Sequence, residues 1–224
     1  MKTIITGTGQ TLTLKSQSGF FKQNADLAQA NRARLDTHGV TAIDILGSVG
    51  AGKTTLTGEL VAHLSPAQKV AAIAGDLTTE IDARRIRACG AEVLQINTDR
   101  GCHLDANMVK NALDLLELPA LDTVLIENVG NLICPGGYLL GAHKRMVVIA
   151  VTEGPYQVVK HPYIFQDAAV VAINKIDLAG AMEVDPEALK ADVHTVRPGI
   201  PVVFCNGRSG QGVPELAAAL GLGG

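Results

Sequence analysis

The stretch Gly47-Ser48-Val49-Gly50-Ala51-Gly52-Lys53-Thr54 decides the fold. It matches the pattern GxxxxGK[ST] in full, and it lies between a β-rich run at 41–46 and a helical run at 53–64, the context that a phosphate-binding loop requires. In such a loop the glycines let backbone N–H groups turn towards a phosphate at the helix N-terminus. Lys53 adds a positive charge beside the β- and γ-phosphates, and the Thr54 hydroxyl can bind Mg²⁺. The predicted nucleotide-binding residues here are Gly47, Ser48, Val49, Gly50, Ala51, Gly52, Lys53, Thr54 and Thr55.

Outward from this loop, short β-rich runs alternate with amphipathic runs of helical length. The predicted strands cover 41–46, 69–74, 92–96, 123–126, 145–151, 168–173 and 201–204, and the predicted helices cover 53–64, 80–89, 104–116, 186–196 and 213–220. This alternation predicts an α/β fold, a largely parallel sheet flanked by helices that binds ligands at the carboxyl ends of its strands. A further helix over 16–38 is expected outside that sheet, so we divide the chain into an N-terminal extension, 1–38, and a P-loop domain, 39–224.

Composition excludes several classes of protein. With 47% apolar and 18% charged residues the chain is not predicted to be disordered, and with 3% aromatics its core must be aliphatic. A net charge of −3 argues against a nucleic-acid binder, and no apolar stretch reaches the length of a membrane span. Four cysteines are too sparse for a disulfide framework and no secretory signal is evident, so a cytoplasmic location is expected.

Two acidic residues follow predicted strands at the edge where the loop lies. Hydrolysis of a nucleotide requires acidic groups that hold Mg²⁺ and order the attacking water, and Asp76 and Glu127 are placed to do so. We therefore predict Lys53, Asp76 and Glu127 as catalytic residues, with Thr54, Asp76 and Glu127 as Mg²⁺ ligands. The alternatives are helix capping by Asp76 and a buried, neutral Glu127.

The run Asn174-Lys175-Ile176-Asp177 matches the NKxD pattern of guanine-specific nucleotide sites. A carboxylate accepts hydrogen bonds from both the ring N1–H and the 2-amino group of guanine, so Asp177 is expected to select that base over adenine. Asn174, Lys175 and Asp177 are the predicted base-side residues. The later loop Cys205-Asn206-Gly207-Arg208 follows a strand but carries only a degenerate base-contact signature, so its role is left open.

Thiol and imidazole groups form a third constellation. Gly101-Cys102-His103 precedes a predicted helix whose dipole would lower the pKa of the Cys102 thiol, and Cys134 follows Gly130 by four residues. Cys102, His103 and Cys134 are candidate ligands for nickel or zinc, although a capped helix start with a buried free thiol is an equal reading. Three donors fall short of the four such metals commonly take, which points to water or a second subunit.

Together these residues resemble the HypB-type GTPases that assist nickel insertion during hydrogenase maturation. The matching segments are 47–55, Gly75-Asp76 with Thr79 and Asp82-Ala83, Gly101-Cys102-His103-Leu104-Asp105-Ala106, Ile126-Glu127-Asn128-Val129-Gly130-Asn131-Leu132 with Cys134-Pro135, Val151-Thr152-Glu153-Gly154, and 174–177. The resemblance implies a SIMIBI-class G domain that binds GTP or GDP with Mg²⁺, and nickel or zinc at Cys102, His103 and Cys134. It also implies a GTP-dependent homodimer, with hydrogenase accessory proteins and the hydrogenase large subunit as partners.

Two departures limit what the resemblance implies. The chain has no N-terminal Cys-x-x-Cys-Gly-Cys element and no His-rich tract, so nickel storage is not expected. Pro155-Tyr156-Gln157-Val158 replaces the acidic residue and Lys-Pro found in many relatives.

The leading hypothesis is a Mg²⁺-dependent GTPase metallochaperone for [NiFe]-hydrogenase. Because no arginine finger is evident in the sequence, a slow, regulatory rate is expected. One alternative is a related GTPase that serves urease, carbon monoxide dehydrogenase or a cobalamin enzyme. Others are a P-loop small-molecule kinase, which the NKxD run disfavours, and a scaffold with a vestigial nucleotide site.

Overall fold

A computed structural model describes residues 2–5, 11–14, 18–76, 80–98 and 101–223. The strands are β1 Lys2–Ile5, β2 Thr11–Leu14, β3 Thr41–Gly47, β4 Val70–Asp76, β5 Glu92–Asn97, β6 Thr123–Glu127, β7 Lys144–Ala150, β8 Val170–Asn174 and β9 Val202–Phe204. The helices are α1 Ser18–Thr37, α2 Lys53–Leu64, α3 Ile81–Arg87, α4 Ala106–Leu113, α5 Gln157–Lys160, α6 Pro162–Gln166, α7 Pro186–Val196 and α8 Val213–Ala219. Within these residues no helix is both long enough and apolar enough to cross a membrane.

Seven strands form one parallel sheet in the order β5-β4-β6-β3-β7-β8-β9, as the predicted fold class requires. The chain leaves β3 for β4 on one side and later crosses to β7 on the other, so β3 lies where the direction of winding reverses. The carboxyl ends of strands at such a reversal leave a crevice for ligands, and the 47–54 loop occupies it. The two N-terminal strands, β1 and β2, form a separate antiparallel pair that the sequence analysis missed.

Alternating side chains of the sheet strands build cores on its two faces. Ile43 and Ile45 of β3 pack with α2, α3 and α8 on one face, whereas Ala42 and Leu46 of the same strand face the other helices. That second face holds two apolar clusters, one under α1 and α4 and one under α5, α6 and α7. Asp44 also points to this face and is buried beside them. The strand is therefore buried on both sides, as its run of apolar residues predicts.

Helix α1, expected outside the sheet, lies outside it and packs against α4 and β3 through one face. Its buried positions are Asn24, Ala28, Asn31 and Leu35, which recur at the spacing of one helix face. Asn31 donates to the carbonyls of Ala106 and Leu140, and Asn24 Oδ1 accepts from the Ala106 amide. An apolar-periodicity argument cannot find this face, because half of it is asparagine.

The observed helix boundaries match some of the predicted ones, and where they differ a capping residue explains one of the differences. The structure bears out α2 and α7 at the predicted residues, but the helix predicted over 104–116 spans only Ala106–Leu113. Its start is set by Asp105, whose side chain accepts from the Met108 amide as an N-cap. Helices α5 and α6 were not predicted. The first residues of the predicted 16–38 helix, 16 and 17, lie outside the described ranges.

Candidate functional site

The phosphate loop has the backbone shape that its glycines allow. Gly52 is in the left-handed region, with φ of 98°, and a Cβ there would lie 2.2 Å from Nδ2 of Asn174. The Asn174 side chain donates to the Ala51 carbonyl at 2.9 Å and accepts from the Gly207 amide at 3.0 Å. One buried amide thus ties the phosphate loop to the loop after β9, which explains why only glycine fits at position 52.

Lys53, Thr54 and Glu127 form the buried centre of the site. Lys53 Nζ donates to the Ser48 carbonyl at 3.0 Å, and the Thr54 hydroxyl donates to Oε1 of Glu127 at 2.6 Å. Burial lowers the pKa of Lys53, an effect that the Glu127 carboxylate opposes. Burial likewise raises the pKa of Glu127 to about 7, against the hydrogen bond from Thr54 and the charge of Lys53. The pair is therefore held in a dry environment in which each charge stabilises the other.

The same centre offers oxygen donors of the kind that Mg²⁺ takes. Oε2 of Glu127 is buried without a hydrogen-bond partner among the described residues. The Thr54 hydroxyl lies beside this carboxylate, and Asp76 lines the same cavity of about 390 Å³. A buried carboxylate oxygen that lacks a donor is the environment that a hard cation satisfies, so these residues fit Mg²⁺.

Two further charged residues line this cavity and were not assigned roles from the sequence. Asp82 and Arg85 project from α3, and Arg85 Nη2 donates to Oγ1 of Thr55 at 2.8 Å. Arg85 Nη1 lies 3.9 Å from Asp82 Oδ1. The sequence could have indicated this pair, because residues three apart on a helix lie on the same face. Position 79, one of the residues that match the HypB-type pattern, lies outside the described residues.

The base-side residues border a second cavity, of about 260 Å³. Asn174, Lys175 and Asp177 line it together with residues 206–208. It shares Gly52, Thr55 and Lys175 with the phosphate-side cavity. Two cavities that meet at the start of α2 have the form required by a ligand with a base at one end and phosphates at the other.

Glu153, in the turn just after β7, supports the phosphate loop through a contact that sequence reasoning missed. Its carboxylate accepts from the Ser48 hydroxyl and, through Oε2, from the Ala150 amide at 2.7 Å. Burial raises the pKa of Glu153. Lys175 Nζ donates to Oγ1 of neighbouring Thr152 at 3.2 Å. The loop after β7 thus braces both the phosphate loop and the NKxD segment.

The thiol and imidazole residues lie on two loops next to this site. Cys102 Sγ is 3.6 Å from His103 Nδ1, and its thiol also interacts with that of Cys134. The His103 ring stacks on Tyr138, with centroids 3.8 Å apart. Among the described residues, however, no three His, Cys, Asp or Glu side chains are arranged to hold a metal ion. The structure brings the two thiols together without forming a complete metal site in one chain.

The pKa expected for Cys102 is wrong in direction. The hydrogen bond with Cys134 raises the pKa of the Cys102 thiol, and burial adds to this. The helix dipole cannot compensate, because α4 begins only at Ala106 and the dipole acts within about one turn. Burial lowers the pKa of His103. Cys205 is a core thiol, whose pKa burial raises to about 12.

Asn131 joins the phosphate loop to both thiol loops. Its backbone N–H donates to the carbonyl of Gly47, the first residue of the phosphate loop, at 3.0 Å. Its side-chain Oδ1 accepts from the amides of Ile133 at 2.7 Å and Cys134 at 3.4 Å, while Nδ2 donates to the Cys102 carbonyl at 3.4 Å. A single side chain therefore sets the separation of the two cysteine loops.

A buried polar network gives a second connection. Asn128, next to Glu127, donates to Asp44 at 3.2 Å, and Asp44 pairs with Arg145 at 3.1 Å. The Arg145 guanidinium then donates to the carbonyls of Gly136 and Tyr138 in the Cys134 loop. Burial raises the pKa of Asp44, although the charge of Arg145 opposes that shift. On β3, Asp44 lies between Ala42 of one apolar cluster and Leu46 of the other.

These features define a class of protein. A parallel sheet with a phosphate loop after its central strand and an NKxD segment after β8 is a P-loop NTPase domain of the SIMIBI class. The crystal structure of an LAO/AO transport system kinase aligns with a TM-score of 0.56 at 17% identity. The alignment covers 93% of this chain and 76% of that one, and a likeness at this identity shows the fold alone.

Comparison with known proteins narrows the class to a family. The family described as CobW/HypB/UreG, nucleotide-binding domain, matches residues 41–204. The "Probable hydrogenase maturation factor HypB" of Methanocaldococcus jannaschii is 44% identical over 195 residues, which cover 87% of this chain and 88% of that protein. The crystal structure of HypB from Helicobacter pylori in complex with nickel aligns with a TM-score of 0.83 at 33% identity, covering 88% of this chain and 93% of that one. The chain belongs to the CobW/HypB/UreG family of P-loop GTPases and, within it, to the HypB hydrogenase maturation factors.

Proposed function

We propose that this chain is a Mg²⁺-dependent GTPase that binds nickel or zinc and couples GTP binding and hydrolysis to metal delivery during [NiFe]-hydrogenase maturation. The observation that carries the proposal is the position of Asn131, which is hydrogen-bonded to the phosphate loop and to the loops of both Cys102 and Cys134. A change at the phosphates that moves this residue must also move the thiols. The nickel complex of the Helicobacter pylori relative supports nickel as the cargo.

In this proposal the residues of the first cavity hold the phosphates of GTP. The backbone amides of the phosphate loop and the Lys53 ammonium stabilise the negative charge that develops as the terminal phosphate leaves. Thr54, Asp76 and Glu127 would hold Mg²⁺, which neutralises phosphate charge when bound. Asp76 and Glu127 are also the residues that would orient the attacking water. Asp177 selects guanine through its carboxylate.

Cys102, His103 and Cys134 are the proposed cargo ligands. Because one chain supplies only three soft donors and does not arrange them around a common point, we propose that two GTP-bound copies complete the site between them. The half-buried state of both thiols is consistent with access from a second copy. Partners of the loaded dimer would be hydrogenase accessory proteins and the large subunit, in the cytoplasm, and turnover would be slow.

A nickel titration in two nucleotide states tests this function. Wild-type protein is titrated with GDP and then with a non-hydrolysable GTP analogue, and the mass in solution is recorded at each point. Cys102→Ser is compared with Cys89→Ser, a matched control whose thiol is likewise half-buried and follows α3, away from the Cys102 and Cys134 loops. Nickel affinity and pairing should depend on the nucleotide and should be lost only in Cys102→Ser.

Two results would count against the proposal. If nickel affinity changed neither with the nucleotide nor in Cys102→Ser, the chain would be better described as a GTPase that serves another metalloenzyme. Preference for ATP over GTP would favour the small-molecule kinase instead.

A further inference from the structure

We propose that Arg85 is a nucleotide-binding residue that contacts the α-phosphate, the phosphate that joins the nucleoside to the β- and γ-phosphates. This inference rests on the proposed GTP-binding function and adds a residue to the same site. It concerns a side chain for which neither the motifs of the sequence nor the resemblance provides a role.

The position of the α-phosphate follows from the two cavities. The base-side cavity contains Asp177, and the phosphate-side cavity contains Lys53 and Thr54. The residues that they share near the start of α2 are Gly52 and Thr55. A nucleotide with its base in one cavity and its terminal phosphates in the other must therefore pass its α-phosphate over Thr55.

Arg85 already reaches this junction. Its guanidinium donates to Oγ1 of Thr55 at 2.8 Å, from a helix that packs beside α2. The remaining N–H groups are not all used, since Asp82 lies 3.9 Å from the other terminal nitrogen and the side chain is about half exposed. A guanidinium with free donors beside a phosphate path is suited to a charge-assisted hydrogen bond.

The electrostatic setting favours such a contact. The phosphate-side cavity contains the carboxylates of Asp76, Asp82 and Glu127. Lys53, the buried cation there, already interacts with all three carboxylates. A polyphosphate that enters needs further positive charge, which Arg85 can bring from the solvent side without the cost of a buried cation.

The contact would act on binding and not on the chemical step. The α-phosphate is present in GDP and GTP alike, and its charge does not change when the terminal phosphate is transferred. Removing the contact should therefore weaken both nucleotides equally and leave kcat unchanged, the signature of an interaction equal in ground and transition states. An arginine that stabilised the transition state would instead lower kcat.

The test compares Arg85→Ala and Arg85→Lys with Arg84→Ala in the full chain. Arg84 is the matched control, because it is on the same helix but pairs with Glu80 and lines neither cavity. We expect Arg85→Ala to raise the Kd for GDP and the KM for GTP by about tenfold each, with kcat within about twofold. Arg85→Lys should fall between Arg85→Ala and wild type, and Arg84→Ala should match wild type. Thermal unfolding of each variant establishes that it is folded, and Arg85→Lys decides the question if Arg85→Ala is unstable.

The outcomes separate this inference from the proposed function. If wild type binds guanine nucleotides and Arg85→Ala behaves as Arg84→Ala does, the α-phosphate contact is wrong while the GTPase proposal stands. A loss confined to kcat also overturns the contact and makes Arg85 a transition-state residue. If wild type binds neither GDP nor GTP, both proposals fall.

Discussion

The nucleotide site and the thiol site differ in how the fold holds them. Lys53, Glu127 and Asn174 are each less than a tenth exposed. Lys53 and Asn174 donate to carbonyls of the phosphate loop, and Glu127 accepts from the Thr54 hydroxyl at the start of α2. Cys102, His103 and Cys134 lie half-buried on loops, and the described residues do not form a three-donor site. The first group is held together by hydrogen bonds within one chain. In the second group, Asn131 links the two thiol loops and Arg145 holds the carbonyls of Gly136 and Tyr138 in the Cys134 loop. A rigid site beside an adjustable one is the arrangement that a coupled switch needs.

The largest expected effect comes from breaking the anchor of the thiol loop. Arg145→Met leaves Asp44 buried without its partner, which should cost about 3–5 kcal/mol of unfolding free energy. Removing Lys110 from its exposed pair with Asp114 is the control, and should cost about 0.2–1 kcal/mol. Denaturant unfolding measures both.

A loss of unfolding free energy in Arg145→Met no larger than that of the control would show that the buried Asp44–Arg145 pair does not stabilise the fold. The double variant Asp44→Asn, Arg145→Met removes the stranded charge and should recover part of the loss. Both variants with Met at 145 should also bind nickel more weakly, since the carbonyls of Gly136 and Tyr138 lose their donor.

Lys53→Ala tests whether the two sites can be separated. Loss of the ammonium beside the phosphates should reduce GTP hydrolysis by about 10²–10³-fold. Nickel binding without nucleotide should stay within about twofold of wild type, because Lys53 contacts neither thiol loop. Lys190→Ala, at a half-buried lysine on α7 that pairs with Glu187 and lines neither cavity, serves as the control in both assays. Unchanged hydrolysis in Lys53→Ala would contradict the proposed role of the phosphate loop.

The rigidity of the nucleotide site is tested by a pair of glycines. Gly52 and Gly39 both have positive φ angles, of 98° and 68°. A Cβ at Gly52 would meet Asn174, whereas one at Gly39, in the turn after α1, meets nothing within 4 Å. Strain from φ is therefore common to both Ala variants, and Gly52→Ala should lose about 1–3 kcal/mol more of unfolding free energy. Equal losses in thermal unfolding would show that Asn174 yields and that the site is less rigid than we infer.

Sequence reasoning succeeded where neighbouring residues carry the signal. The phosphate loop, α2 and the strand ends at Asp76, Glu127 and Asn174 follow from local motifs and from alternation, and the structure places them at one edge of the sheet. The Asp44–Arg145 pair joins residues 101 positions apart, so no local pattern could indicate it. Asn24 and Asn31 were missed for a different reason: they are buried polar residues on a helix face identified by apolar spacing.

At the thiol site, local sequence identified the residues but not the distant contacts that set their properties. The donor residues could be named from the sequence, but the pKa of Cys102 was misjudged because it depends on Cys134, 32 residues away, and on where α4 starts. The roles assigned to the site residues stay predictions that the variants above and below test.

The smallest and most specific effect is expected at Asn131, the residue that positions the thiol loops. Asn131→Ala removes the acceptor for the Ile133 and Cys134 amides and the donor to the Cys102 carbonyl, so the thiols should lose their fixed separation. Nickel affinity should fall about tenfold, equal to about 1.4 kcal/mol, while GDP affinity is retained. The thiolate-to-nickel absorption band should weaken with it, a change that a loss of general stability would not produce.

Asn131→Asp sharpens this test, because aspartate keeps an acceptor for the two amides, loses the donor and adds a negative charge. Partial rescue by Asp would assign the effect to the Cys134 loop, and no rescue would assign it to the Cys102 carbonyl. Asn107→Ala, an exposed position on α4, should behave as wild type. If Asn131→Ala also bound nickel with wild-type affinity in both nucleotide states, Asn131 would not couple the nucleotide site to the thiol loops. The two sites would then be neighbours in the fold, and the proposed coupling would need another route.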